Sequence, residues 1–514
     1  MKTLTYQKTI SKWDVFEVSI KGPTEGNPFT EQWIKAHFSN NIETKEVEGF
    51  YDGKGLYKAR FMPSFEGAYT FQITASFIAE TEKGTFTVSQ AKKENHGPVR
   101  VAHTYHFEYE DGSVYQPIGT TCYVWELQNE ALQKQTLQSL KKSPFNKIRF
   151  CIFPKHYDYN FNEPISYPYE GTPCDSSVIT KENFGQFNGR AKGNDWDYSR
   201  FNPIHFRNIE KSIHSLGEIG IEADIIVMHP YDRWGFSLMN KEEDALYWHY
   251  VIARFAAYHN VWWSLANEYD LMSAKTTENW ENYASIICKN DPYQHLRSIH
   301  NCRAFYDYTR PWITHCSIQR INTYMTAENT DSWKQRFQKP IVLDEITYEG
   351  NIQHGWGNIS GKEMTRRFWE AALRGGYPGH SETYLSPDNI LWWSHGGKLK
   401  GESPDRIAFL KSIMYQTPGY GLTRLELNWD DLCAIAANNQ TKFLKVQPYY
   451  LFYYGINRPS FRTFHFDETT AFNVEVIDTW EMKIKKVGTY TGNFKIELPG
   501  KEYMAIRLRK TSTC

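Results

Sequence analysis

Two glutamates each end an apolar run of the kind that forms a buried β-strand. Glu268 ends residues 261–268 (Val-Trp-Trp-Ser-Leu-Ala-Asn-Glu), and Glu345 ends residues 340–345 (Pro-Ile-Val-Leu-Asp-Glu). Retaining hydrolysis of a glycosidic bond requires a protonated carboxyl group for the leaving oxygen and an ionised carboxylate about 5–5.5 Å away. A lone glutamate is usually an ordinary solvated strand-end residue. Two matched runs favour a catalytic pair, with Glu268 as general acid/base and Glu345 as nucleophile.

The residues that precede the two glutamates bear on this interpretation. Asn267 could hydrogen-bond a sugar 2-hydroxyl, an interaction that strengthens in the transition state; alternatively, it caps the helix that follows. Asp344 adjoins Glu345, and strand alternation lets only one of the two face a site. We choose Glu345 because it lies later on the strand, and Glu349 is the second choice.

The alternation of strand-like and helical segments predicts the elements that must position this pair. From residue 97 to 425, strand-like runs alternate with helical segments such as 242–259 and 362–374, a pattern that predicts a (β/α)8 barrel. Active sites of such barrels lie at the carboxyl ends of the strands, where strands four and seven face each other. The eight predicted strands are residues 115–121, 147–153, 222–229 and 261–268, then segments around 297–301 and within 313–319, residues 340–345, and a segment around 389–393.

Short alternating strands separated by turns flank the predicted barrel on both sides. Residues 1–92 and 426–514 both show this pattern, which predicts an immunoglobulin-like N-terminal β-sandwich and a second, C-terminal β-sandwich. The expected fold class is therefore α/β, a TIM barrel with two β-sandwich domains.

Residues 155–203, rich in Tyr, Asn and Gly, are too long for a plain connector. They form either a functional loop over the barrel mouth or a disordered segment, and their aromatic residues favour the loop.

Bulk composition narrows the class of partner. The chain has 58 Lys+Arg against 59 Asp+Glu, which argues against a nucleic-acid partner because such proteins carry a basic excess. The sequence has no run of 18 apolar residues that could span a membrane, and its N-terminus lacks a signal-peptide pattern. We therefore expect a cytoplasmic protein. The eight cysteines form no CxxC pair and are expected to be reduced thiols, with no zinc site.

Aromatic residues are abundant: 17 Trp, 34 Tyr and 31 Phe, or 16% of the chain. Large cores account for many of them, but aromatic rings also stack on the apolar faces of sugars. Phosphate-binding glycine motifs, an HExxH metal motif and a GxSxG nucleophile elbow are all absent from the sequence. We therefore expect neither cofactor nor metal.

The order of several motifs adds a resemblance to a known family. The Asn-Glu and Glu pair on strands four and seven resembles clan A of the glycoside hydrolases, and more narrowly the glycosidases with an apiosidase-like barrel. In that group an N-terminal β-sandwich and a C-terminal β-domain flank the barrel, so the resemblance covers nearly the whole chain. It rests on residues 107–112 (Phe-Glu-Tyr-Glu-Asp-Gly) leading into 118–121 (Ile-Gly-Thr-Thr), on Arg254, 258–263 (Tyr-His-Asn-Val-Trp-Trp) and 267–268, and on 367–376 (Arg-Phe-Trp-Glu-Ala-Ala-Leu-Arg-Gly-Gly) with 379–380 (Gly-His).

The resemblance implies roles for further residues near the strand ends. Arg149 corresponds to the arginine that orients the nucleophile and could hold Glu345 ionised; the alternative is a structural salt bridge. The candidate sugar ligands are His229, His300, Asn301 and Gln319, with Trp392 or Trp393 as the floor beneath the sugar. Weaker candidates for the rim are Tyr123, Trp125, His380 and Glu382.

The leading hypothesis is a retaining glycoside hydrolase that acts on an oligosaccharide, with exo action favoured because residues 155–203 could close one end of the cleft. The alternative is a non-catalytic carbohydrate-binding barrel. A third is an assembly protein whose sandwiches form a homo-oligomer, which does not exclude catalysis. The sugar, anomer and linkage stay open at this point.

Overall fold

The computed structural model describes residues 4–187, 193–322 and 326–511. Along them, a domain of β-sheets is followed by a barrel of parallel strands with helices and then by a second domain of β-sheets. The predicted fold class is therefore confirmed. Strands are numbered β1–β32 and helices α1–α8 in chain order.

The N-terminal domain consists of two sheets, ordered β1-β3-β7-β6 and β2-β9-β8-β4-β5. Buried and exposed residues alternate along the strands, as expected where one face packs on a core. Phe16 and Phe86 stack at 3.8 Å between ring centroids, and Phe38 stacks on Phe61 at 4.5 Å. The strands are β1 (Thr5–Tyr6), β2 (Thr9–Ser11), β3 (Phe16–Lys21), β4 (Ile34–Ser39), β5 (Thr44–Glu48), β6 (Phe50–Tyr51), β7 (Leu56–Phe61), β8 (Gly67–Ala75) and β9 (Glu82–Ser89).

A small antiparallel sheet covers the amino-terminal end of the barrel. It comprises β10 (Val99–Ala102), β11 (His106–Tyr109) and β12 (Val114–Tyr115). Phe107 packs on Trp262 and Tyr377, which stand at the beginnings of two barrel strands. The predicted first barrel strand, residues 115–121, is thus divided between this sheet and the barrel.

Eight parallel strands form the barrel, in the order β19-β18-β17-β14-β13-β23-β21-β20. A parallel bridge between His300 and Ser317 joins the two outer strands and closes the cylinder. The residues of the barrel strands are buried along the whole length of each strand, as expected for parallel strands covered by helices. The strands are β13 (Gly119–Thr121), β14 (Lys147–Cys151), β17 (Glu222–Met228), β18 (Val261–Ala266), β19 (Arg297–Ser298), β20 (Cys316–Gln319), β21 (Ile341–Glu345) and β23 (Tyr377–His380).

The predicted eighth strand, around residues 389–393, is wrong. The eighth strand is β23, whose Pro378 and Gly379 are residues that strands usually avoid. Gly379 is required there because a Cβ atom would lie 2.6 Å from the Asp344 carbonyl oxygen. The apolar run 389–393 instead leads into a short helix, Trp392–His395, that packs over the barrel.

Helices surround the barrel, and five of the eight described helices begin at a residue whose side chain caps the helix. The Asn240 side chain, for example, accepts hydrogen bonds from the backbone N–H groups of Glu242 and Glu243. The Glu243 side chain in turn accepts one from the backbone N–H of Asn240, which completes a capping box. The helices are α1 (Glu130–Lys142), α2 (Pro203–Gly217), α3 (Lys241–Phe255), α4 (Thr277–Asn290), α5 (Thr330–Phe337), α6 (Gly361–Leu373), α7 (Trp392–His395) and α8 (Ser403–Met414).

The long connection between β14 and α2 contains a β-hairpin in its described part. β15 (Tyr169–Thr172) pairs with β16 (Asp195–Phe201), and Trp196 packs against Phe236 beside the barrel. A second small insertion is the parallel pair β22 (Glu349–Gly350) and β24 (Glu382–Thr383). Residues 188–192 of the connection lie outside the described ranges.

The C-terminal domain has a six-stranded sheet, ordered β25-β26-β27-β32-β29-β30, and a two-stranded sheet, β28-β31. Its first strand begins at Leu422, before the predicted boundary at 426. Tyr453 stacks on Trp369 of α6 and joins this domain to the barrel. The strands are β25 (Leu422–Leu425), β26 (Leu432–Ala436), β27 (Tyr449–Tyr453), β28 (Phe461–His465), β29 (Ala471–Asp478), β30 (Lys483–Thr491), β31 (Asn493–Glu497) and β32 (Met504–Lys510).

Two global expectations can be compared with the described residues. Within those ranges, no helix combines the length and the apolar composition needed to cross a bilayer. The seven cysteines that fall there are free thiols. Cys514 lies outside the described residues.

A buried ionic cluster joins the N-terminal domain to the barrel. Arg60 of β7 donates to both carboxylate oxygens of Glu210 on α2, over 2.6 and 3.1 Å, and Arg254 of α3 donates to Glu210 over 2.6 Å. Burial opposes ionisation of Glu210, but the two guanidinium groups outweigh it and lower its pKa to about 2. The carboxylate therefore holds two buried cations from different domains.

We expect Glu210→Gln to lower the free energy of unfolding by about 3–5 kcal/mol at pH 7, because it leaves two buried cations without their shared anion. Urea unfolding at several pH values checks this. Since the folded pKa lies below the ordinary 4.5, the stabilisation is complete above pH 4.5 and is lost as the pH falls towards 2. Exposed Glu46→Gln is the control and should cost less than about 1 kcal/mol. If Glu210→Gln lowered the free energy of unfolding equally at pH 7 and pH 3, the stabilising role of ionised Glu210 would be contradicted.

Candidate active site

The carboxyl ends of the barrel strands open into a cavity of about 250 Å³. Glu268, Glu345 and the amide of Gln319 line it. Polar groups that converge among aromatic rings are typical of small-molecule sites, and aromatic faces suit the apolar faces of sugars. The aromatic side chains in the wall are Tyr123, Tyr157, Tyr231, Tyr348, Trp356 and Trp393.

Glu345, the last residue of β21, has two strong donors at one carboxylate oxygen. Arg149 of β14 donates to Oε1 over 3.3 Å, and Tyr123 Oη donates to the same atom. Burial alone would raise the pKa of Glu345, but protonated His300, Arg149 and the Tyr123 hydrogen bond outweigh it and lower the pKa. Burial lowers the pKa of His300 to about 4, so near neutral pH Arg149 and Tyr123 keep Glu345 ionised.

Glu268 lies two residues beyond β18, in a left-handed backbone conformation with φ of +49°. This conformation costs a non-glycine residue about 1–2 kcal/mol, and such strain is concentrated at functional sites. Tyr231 Oη donates to Glu268, and Asn267 Nδ2 donates to the same Oε2 atom over 3.2 Å. Burial and then the negative charge of Glu345 raise the pKa of Glu268 above its ordinary value, although the Tyr231 hydrogen bond and the positive charge of Lys155 act in the opposite direction.

A chain of hydrogen bonds links the two carboxyl groups. Arg149 donates from Nη1 to Glu345 and from Nη2 to Asn267 Oδ1, the latter over 3.0 Å. The Asn267 amide nitrogen then donates to Glu268. Arg149 and Asn267 therefore fix the position of both carboxyl groups relative to each other. With these contacts formed, Asn267 positions Glu268 in addition to any sugar contact it makes.

A polar layer inside the barrel supports Arg149 from below. Lys147 Nζ donates to Asp224 over 2.6 Å and to Asp344 over 2.7 Å, and the same two carboxylates lie 3.8 and 3.9 Å from Arg149 Nε. Asp344 thus faces the barrel interior, bound to Lys147. Its neighbour Glu345 reaches the cavity.

Two of the other predicted ligands lie near the carboxyl pair. His300 Nε2 is 3.9 Å from Glu345 Oε1, behind the cavity wall. Gln319 lines the cavity, and its buried side-chain oxygen has no hydrogen-bond partner among the described residues. Asn301 is buried, and its side-chain oxygen accepts from the backbone of Gln319 over 3.2 Å. Asn301 therefore supports Gln319 from behind.

Three predicted ligands do not reach the cavity, and their assignment is corrected. His229 is buried against the Phe153 carbonyl oxygen, with its Nε2 at 3.2 Å. Trp125 lies in the core, edge-on to Phe150. Trp392 donates its indole N–H to Thr120 Oγ1 inside the barrel wall, and the next residue, Trp393, lines the cavity. All three side chains are buried, and none of them lines the cavity.

Glu349, the second choice for nucleophile, also lies outside the cavity. Its carboxylate accepts from Tyr384 Oη and from the backbone N–H groups of Glu402 and Ser403. In the described part of the chain, Glu349 forms with His380 and Glu382 the one group of side chains spaced closely enough for a metal ion. The hydrogen bonds to the Glu349 carboxylate tie it to the start of α8, which indicates a structural role for this residue. The rim candidates His380 and Glu382 are buried with it.

Sequence reasoning missed several cavity residues on loops. Lys155 and Tyr157 follow β14, Tyr231 follows β17, and Tyr348 and Trp356 follow β21. Loop residues carry no periodic signal. The available clue was position alone, because the loops after barrel strands surround the mouth.

A carboxyl pair beyond strands four and seven of a (β/α)8 barrel, held by an arginine and surrounded by aromatic rings, defines the site of a glycoside hydrolase. Comparison with family models agrees. Residues 103–447 match the family "Apiosidase-like, catalytic domain". The chain therefore belongs to the apiosidase-like family, as its motifs predicted. Two domains of unknown function flank the match, DUF5060 at residues 9–76 and DUF5605 at residues 429–509.

Solved structures include a relative over the full length. A protein from Bacteroides vulgatus ATCC 8482, described as a "putative glycoside hydrolase", is 36% identical, with a TM-score of 0.89 over 98% of this chain and 100% of that chain. An endo-β-1,4-mannanase from Thermotoga petrophila is 13% identical over 75% of this chain and 92% of that chain, with a TM-score of 0.39. A search among curated proteins finds no significant match.

The left-handed backbone at Glu268 predicts an unusual order of stability. We expect Glu268→Gly to be more stable than Glu268→Ala by about 1 kcal/mol, because both remove the carboxyl group but only alanine keeps the steric cost. Urea unfolding of both variants measures the difference. The matched pair at Lys134, exposed in the middle of α1, should show the reverse order by about 1 kcal/mol. If alanine were the more stable at both positions, the strain at Glu268 would be disproved.

Proposed function

We propose that this chain is a retaining glycoside hydrolase in which Glu345 attacks the anomeric carbon and Glu268 protonates the leaving oxygen. The observation that carries the proposal is the linked pair itself. One hydrogen-bonded chain holds both carboxyl groups, yet their environments move the two pKa values in opposite directions. Two carboxyl groups with separated pKa values are the requirement for one acid and one nucleophile.

In the first step, Glu345 forms a bond to the anomeric carbon while the bond to the leaving oxygen breaks and Glu268 gives that oxygen its proton. In the second step, Glu268 takes a proton from water, and the water oxygen replaces Glu345 at the same carbon. Arg149 and Tyr123 neutralise part of the charge on Glu345 before attack. Tyr231 and Asn267 orient Glu268. The residues themselves supply every group that these steps need.

Exo action on an oligosaccharide is part of the proposal. A volume of about 250 Å³ lies just below the range of about 300–1,000 Å³ typical of ligand pockets, which favours one terminal sugar over a long chain. Lys155 and Tyr157 of the long connection stand in the wall, and His156 is tied to the Phe184 carbonyl oxygen, 2.8 Å from its Nε2. This part of the connection borders the cavity. The cytoplasmic location and a homo-oligomer stay predictions.

The first experiment is a panel of aryl glycosides tested with the wild type, Glu268→Gln and Glu345→Gln. We expect the wild type to release the aryl alcohol and each variant to lose at least about 100-fold in kcat. With a dinitrophenyl leaving group, which needs no proton, Glu268→Gln should still form the glycosyl-enzyme, whereas Glu345→Gln should not. Exposed Glu46→Gln is the control and should act like the wild type.

Proton NMR of the first-formed sugar tests the stereochemistry. The proposed double displacement gives the same anomer as the substrate, and the inverted anomer would contradict the nucleophilic role of Glu345. Absence of release by a folded protein that still binds oligosaccharide would favour the non-catalytic alternative.

The pH dependence gives a separate prediction. We expect a bell-shaped profile of kcat/KM with an acidic limb from Glu345, whose pKa is lowered, and a basic limb from Glu268, whose pKa is raised. Arg149→Met removes a cation that favours ionised Glu345, so its acidic limb should move to higher pH. Arg100→Met, at the opposite end of the barrel, should leave the profile in place. An unmoved acidic limb in Arg149→Met would rule out this role for Arg149.

A further inference from the structure

The cavity contains a lysine that neither catalytic step uses. Lys155 is buried in the cavity wall, and its ammonium lies over four aromatic rings. The distances from Nζ to the ring centroids are 3.4 Å for Tyr123, 4.2 Å for Tyr231, 4.7 Å for Trp393 and 5.6 Å for Tyr157. Cation–π contacts of this kind hold an ammonium in place when it is shielded from water.

These rings place the ammonium beside the reacting centre. Tyr123 donates its hydroxyl to Glu345, and Tyr231 donates its hydroxyl to Glu268. Lys155 therefore stands over the faces of two rings whose edges hold the two catalytic carboxyl groups. A sugar bound between those carboxyl groups would lie within reach of its ammonium.

Lys155 forms no ion pair within 4 Å in the described parts of the chain, and the carboxylates of Glu268 and Glu345 act on its charge only from a greater distance. Arg303, exposed at the rim of the same cavity, likewise forms no ion pair with a described acidic residue. Burying an ammonium costs several kcal/mol of hydration free energy unless an anion or other favourable contacts offset the loss. Aromatic faces offset part of this cost, and no described residue accepts a conventional hydrogen bond from Lys155 Nζ in competition with a ligand.

The charges that line the cavity do not balance in the state poised for reaction. Glu345 is then ionised and Glu268 protonated, while Lys155 and Arg303 are cationic. One anion faces two cations, so a bound group with one negative charge would make the cavity neutral. Burial lowers the pKa of Lys155 to about 8, which keeps the ammonium charged at neutral pH.

We propose that Lys155, assisted by Arg303, forms an anion subsite and that the sugar cleaved here is a uronic acid whose carboxylate pairs with the Lys155 ammonium. This inference rests on the proposed glycosidase function and names its substrate class. A ring carboxylate belongs to the same sugar residue as the reacting carbon, which matches the position of Lys155 beside both catalytic groups. The pair would be charge-assisted and largely shielded from water, where such contacts discriminate strongly between charged and neutral ligands.

The test compares 4-nitrophenyl glucuronides and galacturonides with the corresponding glucosides and galactosides, in both anomers. For the accepted sugar and anomer, kcat/KM for the uronide should exceed that for its neutral counterpart by on the order of 100-fold. Lys155→Met should lower this ratio by a similar factor. Lys181→Met, exposed in the same connection, is the matched control and should keep the wild-type ratio.

Each outcome bears on one of the two proposals. Preferred hydrolysis of the neutral glycosides, or an equal loss on both classes in Lys155→Met, would overturn the uronic-acid inference and leave the glycosidase proposal intact. If none of these glycosides is hydrolysed but another member of the aryl glycoside panel is, the uronic-acid inference fails and the glycosidase proposal stands. If no member of that panel is hydrolysed, the glycosidase proposal fails, and calorimetry with free sugars tests the subsite by itself. Wild type should then bind glucuronate more tightly than glucose, and Lys155→Met should lose that difference. Equal binding of the two sugars, or tighter binding of glucose 6-sulfate than of glucuronate, would overturn the inference.

Discussion

The site depends on a buried ionic layer inside the barrel. Lys147 binds Asp224 and Asp344, and the same two carboxylates lie just under 4 Å from Arg149 Nε. Each buried charge would cost several kcal/mol if it stood alone, so the layer is stable only as a set. With its base held in this way, the Arg149 guanidinium can direct its two terminal nitrogens to Glu345 and to Asn267. The geometry of the carboxyl pair therefore depends on groups that never contact a ligand.

The same layer explains why two glutamates acquire different protonation states. Glu345 is surrounded by donors that favour the anion, whereas Glu268 is buried next to that anion and resists ionisation. Their titrations are linked, because the charge on Glu345 is one of the causes that raise the pKa of Glu268. Weakening the contacts of Glu345 would therefore also change the behaviour of Glu268, without any contact to Glu268 being altered. Environment, rather than residue type, assigns the two roles.

The sequence was informative wherever a residue belonged to a strongly patterned element. Seven of the eight barrel strands were predicted near their observed positions, and Glu268 and Glu345 were found because each ends an apolar run. The eighth strand was missed because Pro378 and Gly379 are residue types that are rare in strands. The run that contains Trp392 and Trp393 has the apolar composition typical of a strand but is not one. That error also left the choice between Trp392 and Trp393 open, since which of two neighbours faces the cavity depends on the type of element that carries them.

The residues that could not be predicted are those on loops, and this has a physical cause. Lys155 follows a strand and in sequence resembles any solvated lysine. Its character comes from Tyr123 and Tyr231, which meet it from the loops after other strands. The catalytic carboxyl groups are held by the barrel interior, whereas the groups that would recognise a sugar are held by loops at its mouth. A change in one of these loops could thus alter the ligand without disturbing the ionic layer that separates the two pKa values.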